Sequence, residues 1–317
     1  MKHYIGVDIG GTKIAIVKGN EHGEVLKKVR FLNDRGMRTA VDEIIRHVKE
    51  MGPAEAIGIS CGGPLDPQRG RILSPPNLPG WDDVPIVEIL QEACGIPAYL
   101  QNDADACALA EWRFGAGRGT RNMIFLTFGT GFGAGLILNG ALYSGTCGGA
   151  GEIGHVRMRR FGPVGYGKSG TIEGFVSGGG IAQLAQTAAL ERLQTGNTTA
   201  YCQSREELAT VTAERVANAA KAGDPTAIEV YRLCGEILGE GLSMLIDLLN
   251  PEKIVIGSIY VRASELLIPS MRTVIAREAL ATNAAACEIL PAALGEQLGD
   301  IAAISIAIDQ SERTNNP

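Results

Sequence analysis

The chain has 317 residues, 45% hydrophobic and 20% charged, which is enough apolar material for two ordinary domains or one large α/β unit and excludes an intrinsically disordered chain. A formal net charge of −6 with no long basic run argues against a protein built to grip nucleic acid. The apolar stretches are broken by glycine or charge well short of the ~20 residues a membrane helix needs, and Lys2 and His3 lead straight into a strand with no apolar leader core, so a cytoplasmic location without a membrane partner is expected.

The opening HYIGVDIGGTKIAIVKGNEHGEVLKKVRF alternates short β-rich runs with glycine turns, as three antiparallel strands would. Residues 38–51 then have helical spacing (Ala40, Val41, Ile44, Ile45, Val48), AEAIGIS reads as a strand, 84–94 as a helix and IPAYLQN as a strand. DADACALAEWRFGAG reads as an alanine-rich helix closed by glycine. After GAGRGT the same grammar restarts: NMIFLTFGTGFGAGLILNGALYSG is strand, glycine turn, strand, strand, so the two halves share one plan. The region 148–180 interrupts the second half as a long loop. A helix follows with Asp224 as N-cap and Pro225 in its first turn. Next come the strand KIVIG, a helix around 263–281, the strand CEILP and a last helix over about 300–309. The seven cysteines are widely spaced, odd in number and without a C-x-x-C pair, and read as small buried thiols kept reduced; Cys61 and Cys147 stand nearest the motifs.

Two turns carry phosphate chemistry. In Asp8-Ile9-Gly10-Gly11-Thr12-Lys13, bare glycine N–H groups can approach an anion with no Cβ in the way, Thr12 adds a hydroxyl, and Asp8 can hold a magnesium-bound water. Gly129, Thr130 and Gly131 form the corresponding turn of the second half. Gly129, Gly131 and Ala134 match G-x-G-x-x-A formally, but a strand follows where a dinucleotide fingerprint needs a helix. Each turn alone is equally an ordinary hairpin glycine pair; two in equivalent places suggest a phosphate clamp from each half. A P-loop pattern and protein-kinase motifs are missing from the sequence.

Asn102 and Asp103 end an apolar strand, where open α/β sheets place ligand groups, and Asp103 can take the proton of an attacking hydroxyl. The alternative role for Asp103 is N-cap of the next helix, for which Asp105 competes. Glu152, His155 and Glu173 lie in glycine-rich loops and supply the mixed donors and acceptors a polyhydroxyl ligand needs, although such residues taken singly are more often simply solvated.

The ordered set DIGGTK, SCGGPLD, PPNLPGW, QNDADACALAE, TFGTGFGAG, GEIGH and NPEKIVIG resembles the ROK family, the repressor, open-reading-frame and kinase group of bacterial sugar proteins, over nearly the whole chain. The resemblance implies an α/β, actin-like ATPase (RNase H-like) fold of two similar α/β domains with an interdomain cleft for ATP. The domains would be 1–117 with the last helix (299–312) packed back on it, and 118–298. It implies Asp103 as catalytic base, sugar contacts from Gly63, Asn77, Asn102, Glu152, His155 and Glu173, and ATP with Mg2+ held through Asp8, Gly10, Gly11, Thr12, Lys13, Gly129, Thr130, Gly131 and Gly257. A homodimer formed through the larger domain is also implied.

Two departures stand out. Gly257-Ser258 replaces a common Gly-Gly, and the segment GPVGYGKSGTIE lacks the zinc cysteines found after the Gly-His in most of the family. Aligned on Gly167, Gly170 and Glu173, the chain puts Val164, Tyr166 and Thr171 at those positions; none is a good zinc ligand, so no structural zinc is expected and Tyr166 with backbone hydrogen bonds is expected to hold the loop. The function implied is transfer of the ATP γ-phosphoryl group to a hexose, with glucose at its 6-hydroxyl the first choice. N-acetylmannosamine, fructose and allose are the alternatives within the family. The readings from another class are a non-catalytic sugar sensor and a transcriptional regulator; only seven residues precede Asp8, so no DNA-binding element is expected.

Overall fold

The computed structural model describes residues 1–315. In chain order the elements are β1 (His3–Ile9), β2 (Lys13–Asn20), β3 (Val25–Leu32), α1 (Met37–Glu50), β4 (Ile57–Cys61), β5 (Leu65–Asp66), β6 (Arg71–Ile72), α2 (Ile86–Cys94), β7 (Ala98–Asn102) and α3 (Asp103–Phe114). Then follow β8 (Met123–Phe128), β9 (Phe132–Leu138), β10 (Ala141–Leu142), β11 (Val164–Gly165), β12 (Lys168–Ser169), α4 (Ile172–Phe175) and α5 (Gly178–Gln194). The chain closes with α6 (Ala213–Lys221), α7 (Pro225–Leu249), β13 (Lys253–Ile256), α8 (Ile259–Glu278), α9 (Ala281–Ala286), β14 (Glu288–Pro291) and α10 (Leu298–Asn315).

Each principal sheet has five strands, ordered β3-β2-β1-β4-β7 and β10-β9-β8-β13-β14. Both follow one rule, third-second-first-fourth-fifth, so the repeated grammar of the sequence is a repeated topology. In the first sheet β1, β2 and β3 are antiparallel neighbours, while β4 and β7 run parallel to β1. That places the C-terminal ends of β1, β4 and β7 side by side, where an α/β sheet presents its ligand groups.

The chain divides into two compact units, 1–125 with 135–150 and 293–317, and 126–134 with 151–292. This differs from the sequence-based division at 117/118 by residues 118–125, the arm 135–150 and residues 293–298, of which the arm is the largest. Helix α3 explains the place of the arm: Gly135 lies against it so closely that a Cβ there would sit 2.4 Å from the Ala104 carbonyl oxygen, and Ser144 Oγ donates to Asp105 at 2.8 Å.

In the first unit, Ile5, Val7, Ile14 and Ile16 of the sheet pack with Ile44 of α1 and Leu90 of α2, all essentially buried. A second cluster joins Tyr4, Val17 and Ala56 to Ile304, Ala307 and Ile308 of α10. The last helix therefore lies on the first sheet, and glycine makes the approach possible. A Cβ at Gly58 would fall 2.1 Å from the Ala303 carbonyl oxygen, and one at Gly6 2.8 Å from Ala303 Cβ.

In the second unit α7 is the central buried helix. Asp224 caps it, accepting from Ala227 N at 2.9 Å, Pro225 fills the first turn, and Asn250 ends it in the left-handed region. Gly235 and Gly239 bring α8 close, each presenting a bare face 2.7 Å (measured to a would-be Cβ) from the carbonyl oxygens of Leu267 and Met271. Helix α8 starts at Ile259, four residues before its sequence-based start, with non-helical angles at Ala263 and Pro269 inside. The irregular dihedrals at Ala263 interrupt the apolar spacing that marks its first turn. All seven cysteines are free; Cys61, Cys202 and Cys234 are buried, whereas Cys147 is exposed, contrary to the expectation of buried thiols, because its segment is loop with no strand or helix to cover it.

Candidate functional site

In the first unit the candidate residues gather at the ends of β1, β4 and β7. Gly10, Gly11 and Thr12 join β1 to β2, closed by Gly10 N donating to the Lys13 carbonyl at 3.1 Å and pinned from outside by Asn33 Nδ2 donating to the Gly10 carbonyl at 3.0 Å. Thr12 and Lys13 are exposed. Gly11 must be glycine: a Cβ would sit 2.4 Å from the Asn77 carbonyl oxygen, which places Asn77 against this turn. Asp8, one residue back in β1, has its carboxyl pushed up to about 6 by burial, then by the neighbouring charges of Asp103 and Asp300, against a hydrogen bond from Ser60 that lowers it. Asp300 in turn pairs with Lys28.

Asp103 is the first residue of α3. Desolvation raises its carboxyl above the ordinary range, while the backbone N–H of Ala104, 2.9 Å from its Oδ1, works the other way. Its side chain nonetheless opens to solvent, so a reactant can reach it. The helix cap is neither Asp103 nor Asp105, as the sequence suggested, but Asn102, whose Oδ1 accepts from Ala104 N at 2.8 Å. Asp105, in the first turn, is buried, and its carboxylate is engaged by Ser144 Oγ at 2.8 Å rather than by the orphan amides of the helix start. Opposite, the bare faces of Gly62 and Gly63 lie 3.9 Å from Asp103 Oδ2 and 3.7 Å from Asn102 Nδ2, measured to would-be Cβ atoms. Asp8, Gly63, Asn102 and Asp103 are thus gathered in one place. Cys61 sits beside them, its thiol raised to about 12 by burial and then by Asp103 and Asp8, and is inert there.

In the second unit Gly129, Thr130 and Gly131 lie between β8 and β9. Gly129 N donates to the Gly131 carbonyl at 3.1 Å, and Gly178 N, at the start of α5, donates to the Gly129 carbonyl at 2.8 Å. Gly257 is tied to β8 by its N–H to the Leu126 carbonyl at 2.9 Å, and Ser258 Oγ comes within 3.6 Å of the would-be Cβ of Gly129. Ser258 holds φ 54, ψ −111, a backbone region suited to glycine, so the chain keeps a glycine-like turn here with a hydroxyl added.

Glu173, in the first turn of α4, braces the same turn. Its Oε2 accepts from Phe132 N at 3.1 Å and lies 2.9 Å from the would-be Cβ of Gly131. The GEIGH loop packs on β9 through its glycines: Gly151 accepts from Ala134 N at 2.9 Å, and the bare face of Gly154 abuts the Phe132 carbonyl. That leaves Glu152 exposed and His155 half-exposed, 3.6 Å apart, with the His155 ring meeting Tyr166 edge-on at 5.1 Å. Glu152, His155 and Glu173 therefore belong to one side-chain neighbourhood of this unit.

The segment 162–173 is a short hairpin, β11–β12, followed by the cap of α4. Val164 has no ligating atom in its side chain, Tyr166 faces His155 with its ring, and Thr171 Oγ1 accepts from Gly174 N at 3.1 Å. This donor set does not fit tetrahedral zinc. Sequence reading passed over Ser60, Gln183 and Lys168. Ser60 stands in SCGG beside the first turn and could have been flagged, whereas Gln183 lies on a helix with no local signal.

Two five-stranded sheets of one order, each with a three-residue glycine turn between its first two strands, define an actin-like ATPase fold. The ROK family model matches residues 4–310, and the chain belongs to the ROK family. A glucokinase of Halalkalibacterium halodurans is 33% identical over 310 residues, covering 94% of this chain and 92% of that protein. The solved ROK family glucokinase from Streptomyces griseus, in complex with glucose and AMPPNP, matches with a TM-score of 0.75 at 30% identity, covering 96% of this chain and 99% of that one. A ROK family transcriptional regulator, a homologue of the E. coli MLC protein, matches with a TM-score of 0.83 at 25% identity, covering 98% of this chain and 78% of that one. The similar proteins thus include both glucokinases and a regulator.

Proposed function

We propose that the protein is an ATP-dependent sugar kinase that transfers the γ-phosphoryl group to a hexose hydroxyl, with glucose at its 6-hydroxyl the first candidate. The observation that carries this reading is the coupling of Asp103 to Asp8: a solvent-reachable carboxylate with a raised pKa beside a glycine phosphate turn. Asp103 would accept the hydroxyl proton as the sugar oxygen forms its bond to phosphorus and the bond to the ADP oxygen breaks. Within the first unit Asn102 and Gly63 would orient a sugar, and within the second Glu152, His155 and Glu173 would supply acceptors and donors. Asn77 contributes through its backbone against Gly11.

Among the described residues no three acidic or imidazole groups form a metal cluster, so Mg2+ would come with the phosphates, where Asp8 would hold one of its waters and the ion would supply positive charge against the phosphates. In the first unit Gly10, Gly11, Thr12 and Lys13 would hold phosphate oxygens, and in the second Gly129, Thr130 and Gly131 would do so, with adenosine near Gly257. The glucokinase relatives support this assignment.

An ADP-release assay across glucose, N-acetylmannosamine, fructose and allose tests it. Turnover of at least one sugar is expected, and Asp103→Asn should lower kcat about 10²- to 10⁴-fold while leaving sugar affinity by titration largely intact. Sugar binding without turnover of any of the four would replace the kinase with a sensor.

A further inference from the structure

The loop that carries Glu173 has lost the ligands of a metal and gained a different support. Gln183 of α5 reaches the hairpin and makes two hydrogen bonds to a single residue: Val164 N donates to Gln183 Oε1 at 2.9 Å, and Gln183 Nε2 donates to the Val164 carbonyl at 2.9 Å. The side-chain amide thus completes the ladder of β11 as a neighbouring strand would, and the pairing fixes its orientation.

Val164 is a sensitive place to hold. The next residue, Gly165, packs on α4 so tightly that a Cβ would lie 2.7 Å from Gly174 N and 3.0 Å from Glu173 Cβ. A shift of the hairpin is therefore passed directly to Glu173, and from there to Phe132 N and the Gly131 turn. Beside the hairpin lies an open pocket of about 720 Å³ lined by Phe161, Pro163, Phe175, Leu184 and Val230, with Gln183 in its wall. Packing does not fill that space, so hydrogen bonds hold the hairpin on this side, the Gln183 amide pair among them. Lys168 Nζ adds a second tie, donating to the His155 carbonyl at 2.8 Å.

We propose that Gln183 is a positioning residue for the sugar site, a metal-free strut that seats the hairpin on α4 and so sets the place of Glu173. This rests on the sugar-kinase reading above, and it adds a determinant outside the contact residues named there.

The test compares wild type with Gln183→Leu, which removes both hydrogen bonds at similar volume, and Gln183→Glu, which keeps only the acceptor. The expected result for Gln183→Leu is a glucose KM raised about tenfold, a size typical of lost support behind a ligand group. The ATP KM, reached only at one remove through Phe132 N and the Gly131 turn, should rise clearly less than the glucose KM, and hydrogen exchange should quicken in 162–175 but not in α7. Gln183→Glu should fall between. An unchanged glucose KM, or an ATP KM that rises as much as the glucose KM, overturns the proposal; so does recovery of the Gln183→Leu variant on adding equimolar zinc, or stoichiometric zinc in purified wild type. If wild type turns over no hexose the kinase reading fails separately, and glucose affinity by titration replaces KM as the readout.

Discussion

The two glycine turns are topological equals with different chemistry. Each is a three-residue link between the first and second strands of its sheet, yet the position two residues before the first glycine is Asp8 in one and Thr127 in the other. The first turn is braced by main chain, the Asn77 carbonyl standing over Gly11. The second is braced by a side chain, the Glu173 carboxylate standing over Gly131. Repetition of a fold therefore duplicates the cradle but not the charge: the acid–base groups gather in the first unit, and the loop-borne polar groups in the second.

The charge difference predicts the largest effect. Asp8 is held at about 6, above an unfolded value near 3.8, so the folded state binds its proton more tightly than the unfolded chain does. Stability from this group is fully present below about pH 4 and is lost as pH rises through about 6. Asp8→Asn, melted without Mg2+, should therefore exceed wild type at pH 7.5 by up to about 3 kcal/mol and match it near pH 4. Equal melting of the two proteins at both pH values would break the comparison.

The bracing difference predicts the next two effects. Gly11→Ala drives a methyl into rigid main chain and should cost about 2 kcal/mol in denaturant unfolding, with weakened ATP binding by titration. Gly131→Ala meets the far end of a side chain that can swing aside. It should cost less than about 1 kcal/mol but raise the sugar KM, since Glu173 must leave Phe132 N. If the two variants lost equal stability, the contrast between main-chain and side-chain bracing would be wrong.

Much of the fold can be read from local signals. Asp224-Pro225 marks the start of α7 because a cap and a proline act within one turn, and the alternation of strand and glycine marks β1–β2 and β8–β9 because each needs only its own residues. Asp8 and the two turns stand out the same way, at strand ends next to glycine, and Asp103 stands out as the residue that follows the apolar strand β7. The identity of the α3 cap was misassigned because Asn102, Asp103 and Asp105 are all good capping residues, and which one turns its side chain toward Ala104 N is decided by how β7 enters the helix.

By itself the sequence determined the order of the main strands and of several helices, the repeat, both glycine turns, the likeness to the ROK family and the absence of cysteine from 162–173. Each of these is a matter of residue type at a fixed spacing. Only the tertiary structure decided that Asp103 lies near enough to raise the Asp8 carboxyl, that Glu173 braces the Gly131 turn, and that Gln183, on a helix beyond the loop, clamps Val164. Those depend on burial and on hydrogen bonds between segments far apart in the chain, and such distances leave no trace in local composition.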